Sequence, residues 1–146
     1  MSGPALEGVI ARQGWQTSRR QIVPDDLESI YKMLLEWSDS GDLDVILTTG
    51  GTGFSPRDVT PEATLAIIER GAPGLAEAMR NASLKVTAHA MLSRATAGIR
   101  GHTLIVNLPG SPKGAMENLE VILPVLPHAV ELLKNEPGAE TGHQAR

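Results

Sequence analysis

Two stretches of this sequence carry residue types that handle phosphate. The first runs Thr48-Thr49-Gly50-Gly51-Thr52-Gly53-Phe54-Ser55-Pro56-Arg57-Asp58-Val59-Thr60-Pro61-Glu62. Glycines let a backbone approach an oxyanion and turn its N–H groups toward it. Thr49 and Thr52 add hydroxyl donors, and Arg57 adds a charged one. Thr60-Pro61-Glu62 has the make-up of a helix start, with Thr60 as its cap, and a helix start favours an anion. Asp58 does not belong in a pure anion site; a carboxylate beside phosphates is useful when it holds Mg2+ or orients a nucleophile. The second stretch is Asn107-Leu108-Pro109-Gly110-Ser111-Pro112-Lys113-Gly114, where Gly110, Ser111 and Lys113 could jointly hold a phosphate. A third position, Asp25, follows Ile22-Val23-Pro24. Each also has a plain structural reading. The first is a tight turn with a solvated Arg57-Asp58 pair, the second a capped helix start, and Asp25 the N-cap of a helix.

The residues exclude several other chemistries. There is no cysteine, hence no thiolate nucleophile, disulfide or cysteine-zinc site. His89, His102, His128 and His143 lack zinc-ligand spacing, and neither Ser55 nor Ser111 sits in a Gly-x-Ser-x-Gly elbow. Neither Gly-x-x-x-x-Gly-Lys-Ser/Thr nor Gly-x-Gly-x-x-Gly occurs, so this is no P-loop and no dinucleotide fingerprint. With 13 Lys plus Arg against 17 Asp plus Glu, the chain lacks the excess of basic residues of a nucleic-acid binder. Its aromatics, 2 Trp, 1 Tyr and 1 Phe, are too few for a base-stacking platform. No apolar run approaches the roughly 20 residues of a membrane span, and Met1-Ser2-Gly3-Pro4 does not begin a signal peptide. A cytoplasmic protein that binds neither membrane nor nucleic acid is expected. Its 146 residues suit one domain over 1–135 and a flexible polar tail over 136–146.

The elements that must position these residues follow from periodicity and breakers. A helix is expected over 2–13, with Leu6, Val9 and Ile10 on one face and Gly14 as its stop, then a weak strand over 16–23. Asp25 and Glu28 have capping-box spacing for a second helix whose buried stripe is Leu27, Ile30, Tyr31, Leu34 and Leu35. The apolar run 43–48 suits a strand buried on both faces. A third helix starts near Thr60, and a mostly helical stretch follows over 74–92. A short strand at 96–99, a turn at Arg100-Gly101-His102 and a buried strand at 103–108 come next. Helices over 113–123 and 127–134 complete the domain. Strands alternating with helices indicate an α/β fold with a mostly parallel sheet, and such sheets bind ligands beyond the carboxyl ends of their strands.

Taken in order, these stretches resemble the MoaB/Mog family of molybdopterin-binding domains, which includes bacterial molybdopterin adenylyltransferases and the G domains of gephyrin and plant Cnx. The resemblance rests on Asp-Val-Ile-Leu-Thr-Thr-Gly-Gly-Thr-Gly at 44–53 and Pro-Arg-Asp-Val-Thr-Pro-Glu-Ala-Thr at 56–64. It also rests on Asn-Leu-Pro-Gly-Ser-Pro-Lys-Gly at 107–114, Leu-Pro-His-Ala-Val-Glu-Leu-Leu at 126–133, Ile22-Val23-Pro24-Asp25 and Ser2-Gly3-Pro4-Ala5-Leu6. It implies a three-layer α/β/α domain, usually a homotrimer, that moves AMP from Mg-ATP to the terminal phosphate of molybdopterin and releases pyrophosphate. By resemblance, Asp25 and Asp58 are the two functional aspartates, and they are expected to position Mg2+ and the attacking phosphate oxygen. Thr49, Gly50, Gly51, Thr52, Gly53, Arg57, Asn107, Pro109, Gly110, Ser111 and Lys113 would bind pterin phosphate and nucleotide. A molybdenum-insertion enzyme would be the partner downstream. Family members begin with an apolar strand before the Ser-Gly-Pro helix; here Met1 directly precedes Ser2, so a sheet without that first strand is expected. A carrier that holds molybdopterin without turnover and a trimerising scaffold are the alternative readings.

Overall fold

The computed structural model describes residues 2–135, excluding the side chain of Ser2; the expected tail over 136–146 lies outside them. In chain order the elements are α1 (Ser2–Arg12), α2 (Leu27–Asp39), β1 (Val45–Thr49), α3 (Thr60–Ile67), β2 (Arg70–Gly71), α4 (Pro73–Leu84), β3 (Ala97–Arg100), β4 (Thr103–Leu108), α5 (Pro112–Ile122) and α6 (Leu126–Leu133). Short 3-10 helices cover Ala88–Leu92 and Leu123–Val125. The stretch read as one helix over 74–92 therefore breaks after Leu84 and restarts where Thr87 caps the amide of His89.

Strand order is β1-β4-β3-β2. β1 and β4 are parallel from Val45↔Leu104 to Thr49↔Leu108, so both strands end at one level. The rest of the sheet is antiparallel, a departure from the mostly parallel expectation. The cause is local: Gly101 at φ +59° closes a tight turn between Arg100 and Thr103, and a turn that short joins only antiparallel strands.

All six residues of β4 are buried. Alternation sends Leu104, Val106 and Leu108 into a core with α1, α4 and α5 and sends Ile105 into a second core with α2 and α3. Helices thus cover both faces of the sheet, and the described residues form three α/β/α layers.

Residues 16–23 form no strand, contrary to the sequence reading. A strand needs a partner in register, and this segment finds none. Arg19 pairs with Asp42, Arg20 pairs with Glu7, and a cleft of about 810 Å3 lies between this segment, α1 and β1. The edge of β1 opposite β4 is paired with no described strand, which is why only Ile46 of β1 is fully buried. Among the described residues no helix is long and apolar enough to cross a membrane.

Candidate functional site

The parallel pairing of β1 and β4 brings the two phosphate-handling stretches to one end of the sheet. Gly50 N–H donates to Leu108 O at 2.9 Å, continuing the ladder past the end of β1. Beyond it the loops touch: a Cβ on Gly50 would stand 3.7 Å from Gly110 Cα. Gly50 and Gly51 both adopt left-handed backbone, at φ +87° and +68°, where other residues carry strain. A Cβ on Gly51 would also overlap Thr60 Oγ1. This contact places the first turn of α3 directly against the loop, where Thr60 N–H donates to Gly51 O at 3.2 Å.

Asp58 stands over Gly53. Its Oδ2 accepts from Ser55 N–H at 3.0 Å while its own N–H donates to Ser55 O at 2.8 Å, closing a turn over Ser55–Asp58. A Cβ on Gly53 would approach that Oδ2 to 2.9 Å, so glycine is what lets the carboxylate sit there. Arg57 is exposed on this turn. On the second loop, Ser111 caps α5 by accepting from Gly114 N–H at 3.1 Å, and exposed Lys113 follows in the first turn. Neither Arg57 nor Lys113 makes an ion pair with a described residue, so the site keeps two unpaired cations between two helix starts.

Asp25 is exposed and is not the cap of α2. Asp26 is: its carboxylate accepts from Ser29 N–H and from Ser29 Oγ, both at 2.8 Å, and these bonds hold it below the usual carboxylate range. Asp25 instead lines the rim of the cleft that also touches Thr49, Thr60 and Gly110. Likewise α3 has Val59 at its cap position with no side-chain bond, and Thr60 is its first residue.

Asn107 sits elsewhere than a ligand-facing role would put it. Its side chain is fully buried; Nδ2 donates to Thr48 Oγ1 and Thr64 Oγ1, each at 3.0 Å, and Oδ1 accepts from Thr96 N–H at 3.1 Å. It ties β4 to β1, α3 and the strand approach at Thr96 beneath the loops. Thr52 is buried too, while Thr49 is exposed and Pro109 half-buried.

One residue of the site carries no local sequence signal. Arg94 Nε donates to Gly53 O at 2.7 Å, its Nη2 donates to Asp58 O at 2.6 Å, and its Nη1 binds Glu62 Oε2 at 2.6 Å. That guanidinium holds the Glu62 carboxyl below its ordinary range. Among the described residues no group of three histidine or acidic side chains could enclose a metal.

Two glycine loops, two helix starts, two unpaired cations, exposed Asp25 and half-buried Asp58 thus gather at the end of the parallel strand pair of an α/β domain. Residues 1–128 match the family model described as a probable molybdopterin binding domain, and this chain belongs to that family. It is 51% identical over 146 residues to gephyrin of Dictyostelium discoideum, covering 93% of this chain and 20% of that protein. It is 46% identical over 113 residues to the molybdopterin adenylyltransferase of Helicobacter pylori strain J99, covering 77% of this chain. The chain thus spans a fifth of the first relative and 64% of the second. The crystal structure of the molybdopterin biosynthesis enzyme MoaB from Thermus thermophilus superimposes with a TM-score of 0.87 at 51% identity, covering 93% of this chain and 86% of that one. The Mog protein of Mycobacterium ulcerans gives 0.88 at 37% identity, covering 93% and 88%.

Proposed function

We propose that this chain serves molybdenum cofactor biosynthesis as a molybdopterin adenylyltransferase. The observation that carries the reading is the meeting of the two loops at Gly50 and Gly110, with cations and carboxylates around them. In the reaction a terminal phosphate oxygen of molybdopterin attacks the α-phosphorus of ATP. A new P–O bond forms, the bond to the β-phosphate breaks, and pyrophosphate leaves with the displaced electron pair. The reactants are both anions, so the barrier falls when fixed donors and cations offset their repulsion. Loop N–H groups, Arg57, Lys113 and the starts of α3 and α5 supply that offset. A phosphate with a second pKa of about 6 needs no general base near neutral pH, so Asp25 and Asp58 serve to orient rather than to deprotonate.

Carboxylate oxygens are hard donors of the kind Mg2+ takes, and phosphates commonly complete such a site. Asp25 and Asp58 would hold the ion, which supplies charge neutralisation on the triphosphate when bound. A homotrimer, a cytoplasmic location and hand-over to a molybdenum-insertion enzyme belong to the same reading. The alternative is a carrier that binds molybdopterin without turnover.

The test is pyrophosphate release from Mg-ATP with and without molybdopterin, alongside molybdopterin binding. Pterin-dependent release that is lost in Asp25→Ala and Asp58→Ala, with binding kept, supports the enzyme. Binding without release makes the chain a carrier, and neither leaves the scaffold.

A further inference from the structure

We propose that Arg94 is a positioning residue that sets the direction of the peptide planes in the glycine loop; the catalytic part of this inference rests on the adenylyltransferase reading. Three loop carbonyls turn toward Arg94. Its backbone N–H donates to Thr52 O at 2.7 Å, and its side chain donates to Gly53 O and Asp58 O. The peptides are trans, so each pinned carbonyl sends the next residue's N–H to the opposite side of the chain. Those are the N–H groups of Gly53, Phe54 and Val59, and none donates a hydrogen bond within the described residues. Three unspent donors, fixed before a ligand arrives, are what an anionic transition state uses.

The clamp is itself held. Arg80 Nε donates to Ser93 O at 3.1 Å and its Nη2 to Ala95 O at 2.9 Å, gripping the backbone on both sides of Arg94. Arg80 lies on α4 next to Met79, which is buried in the core. Glu62, in the first turn of α3, fixes the far edge of the Arg94 guanidinium. The task calls for a planar fork with several donors at set angles. A lysine ammonium supplies the charge without the fork.

The test uses Arg94→Lys and Glu62→Gln in the full chain, read by amide hydrogen exchange and by steady-state pyrophosphate release. Arg94→Lys should speed exchange of the hydrogen-bonded loop amides of Ser55, Asp58 and Thr60 by about tenfold or more while β4 stays protected. It should lower kcat on the order of a hundredfold with KM within about threefold, the signature of misplaced groups rather than lost ligand contacts. Glu62→Gln keeps both carbonyl bonds, should shift both readouts in the same direction by less, and decides the matter if Arg94→Lys does not fold. Loop exchange equal to wild type, or a uniform rise that includes β4, overturns the proposal. So does faster loop exchange with undiminished kcat, or a loss confined to KM. A wild-type chain that releases no pyrophosphate refutes the proposed function instead, and loop exchange alone then decides the clamp.

Discussion

Gly110 faces Gly50 so closely that a Cβ on Gly110 would stand 3.3 Å from Gly50 Cα. Two loops from distant parts of the chain therefore share one surface; a side chain on Gly110 would press on Gly50, whereas a Cβ on Gly50 would meet Gly110 Cα at an ordinary contact distance of 3.7 Å. Gly50→Ala introduces left-handed backbone strain, at φ +87°, and should lower the unfolding free energy by about 1–2 kcal/mol. Gly101→Ala supplies a control, since Gly101 is also left-handed, at φ +59°, but has nothing within 4 Å and sits at the other end of β4. Both variants should lose stability in urea; only Gly50→Ala should also weaken molybdopterin binding.

The neighbouring aspartates should separate cleanly. Asp26→Ala removes the cap of α2 and should lower the urea midpoint while leaving turnover at the wild-type level. Asp25→Ala removes no hydrogen bond of that helix and should do the reverse. Urea unfolding and pyrophosphate release on the two variants check this, and a swapped pattern would return Asp25 to the role of a cap.

Asn107→Ala should destabilise the chain by about 3 kcal/mol, because Thr96 N–H loses its buried acceptor and the hydroxyls of Thr48 and Thr64 lose a shared donor. Asn107→Asp should cost more, since it places a carboxylate where the side chain has no exposure. Chemical denaturation measures both. A loss of ligand affinity at unchanged stability would instead place Asn107 in the binding surface.

Acid should loosen the glycine loop. Glu62 has a folded-state pKa below its ordinary 4.5, first because of the hydrogen bond from Arg94. A lowered carboxylate pKa stabilises the folded state fully above the unfolded value and loses that contribution as pH falls through the folded value. Exchange of the Ser55, Asp58 and Thr60 amides, corrected for its intrinsic pH dependence, should therefore reveal faster opening below about pH 4.5, the ordinary Glu value. Glu62→Gln should abolish that dependence. Persistence of the full acid effect in Glu62→Gln would assign it to another carboxylate.

Much of this protein is written in short windows of sequence. Strand β4 spans 103–108 as its β-branched, mostly apolar run indicates, and α1, α5 and both glycine loops fall within a residue or two of their local signals. Apolar periodicity, glycine at left-handed positions and proline in first turns act over a few residues, so the sequence alone determines them. Even there, choices between adjacent candidates were settled by geometry: Asp26 rather than Asp25 caps α2, because its carboxylate is the one that reaches the Ser29 amide.

What the tertiary structure decided involves partners far apart in the chain. Residues 16–23 carry a weak strand pattern yet join no ladder: a cleft separates them from the unpaired edge of β1, and the Arg19–Asp42 and Arg20–Glu7 ion pairs hold the segment instead. The β1–β4 pairing carries Asn107 into the interior between Thr48 and Thr64, although the family resemblance had implied a ligand contact. Arg94 meets Gly53, Asp58 and Glu62 across separations of 41, 36 and 32 residues. Side-chain hydrogen bonds of that kind depend on where whole elements come to rest, and no local run of residue types encodes them.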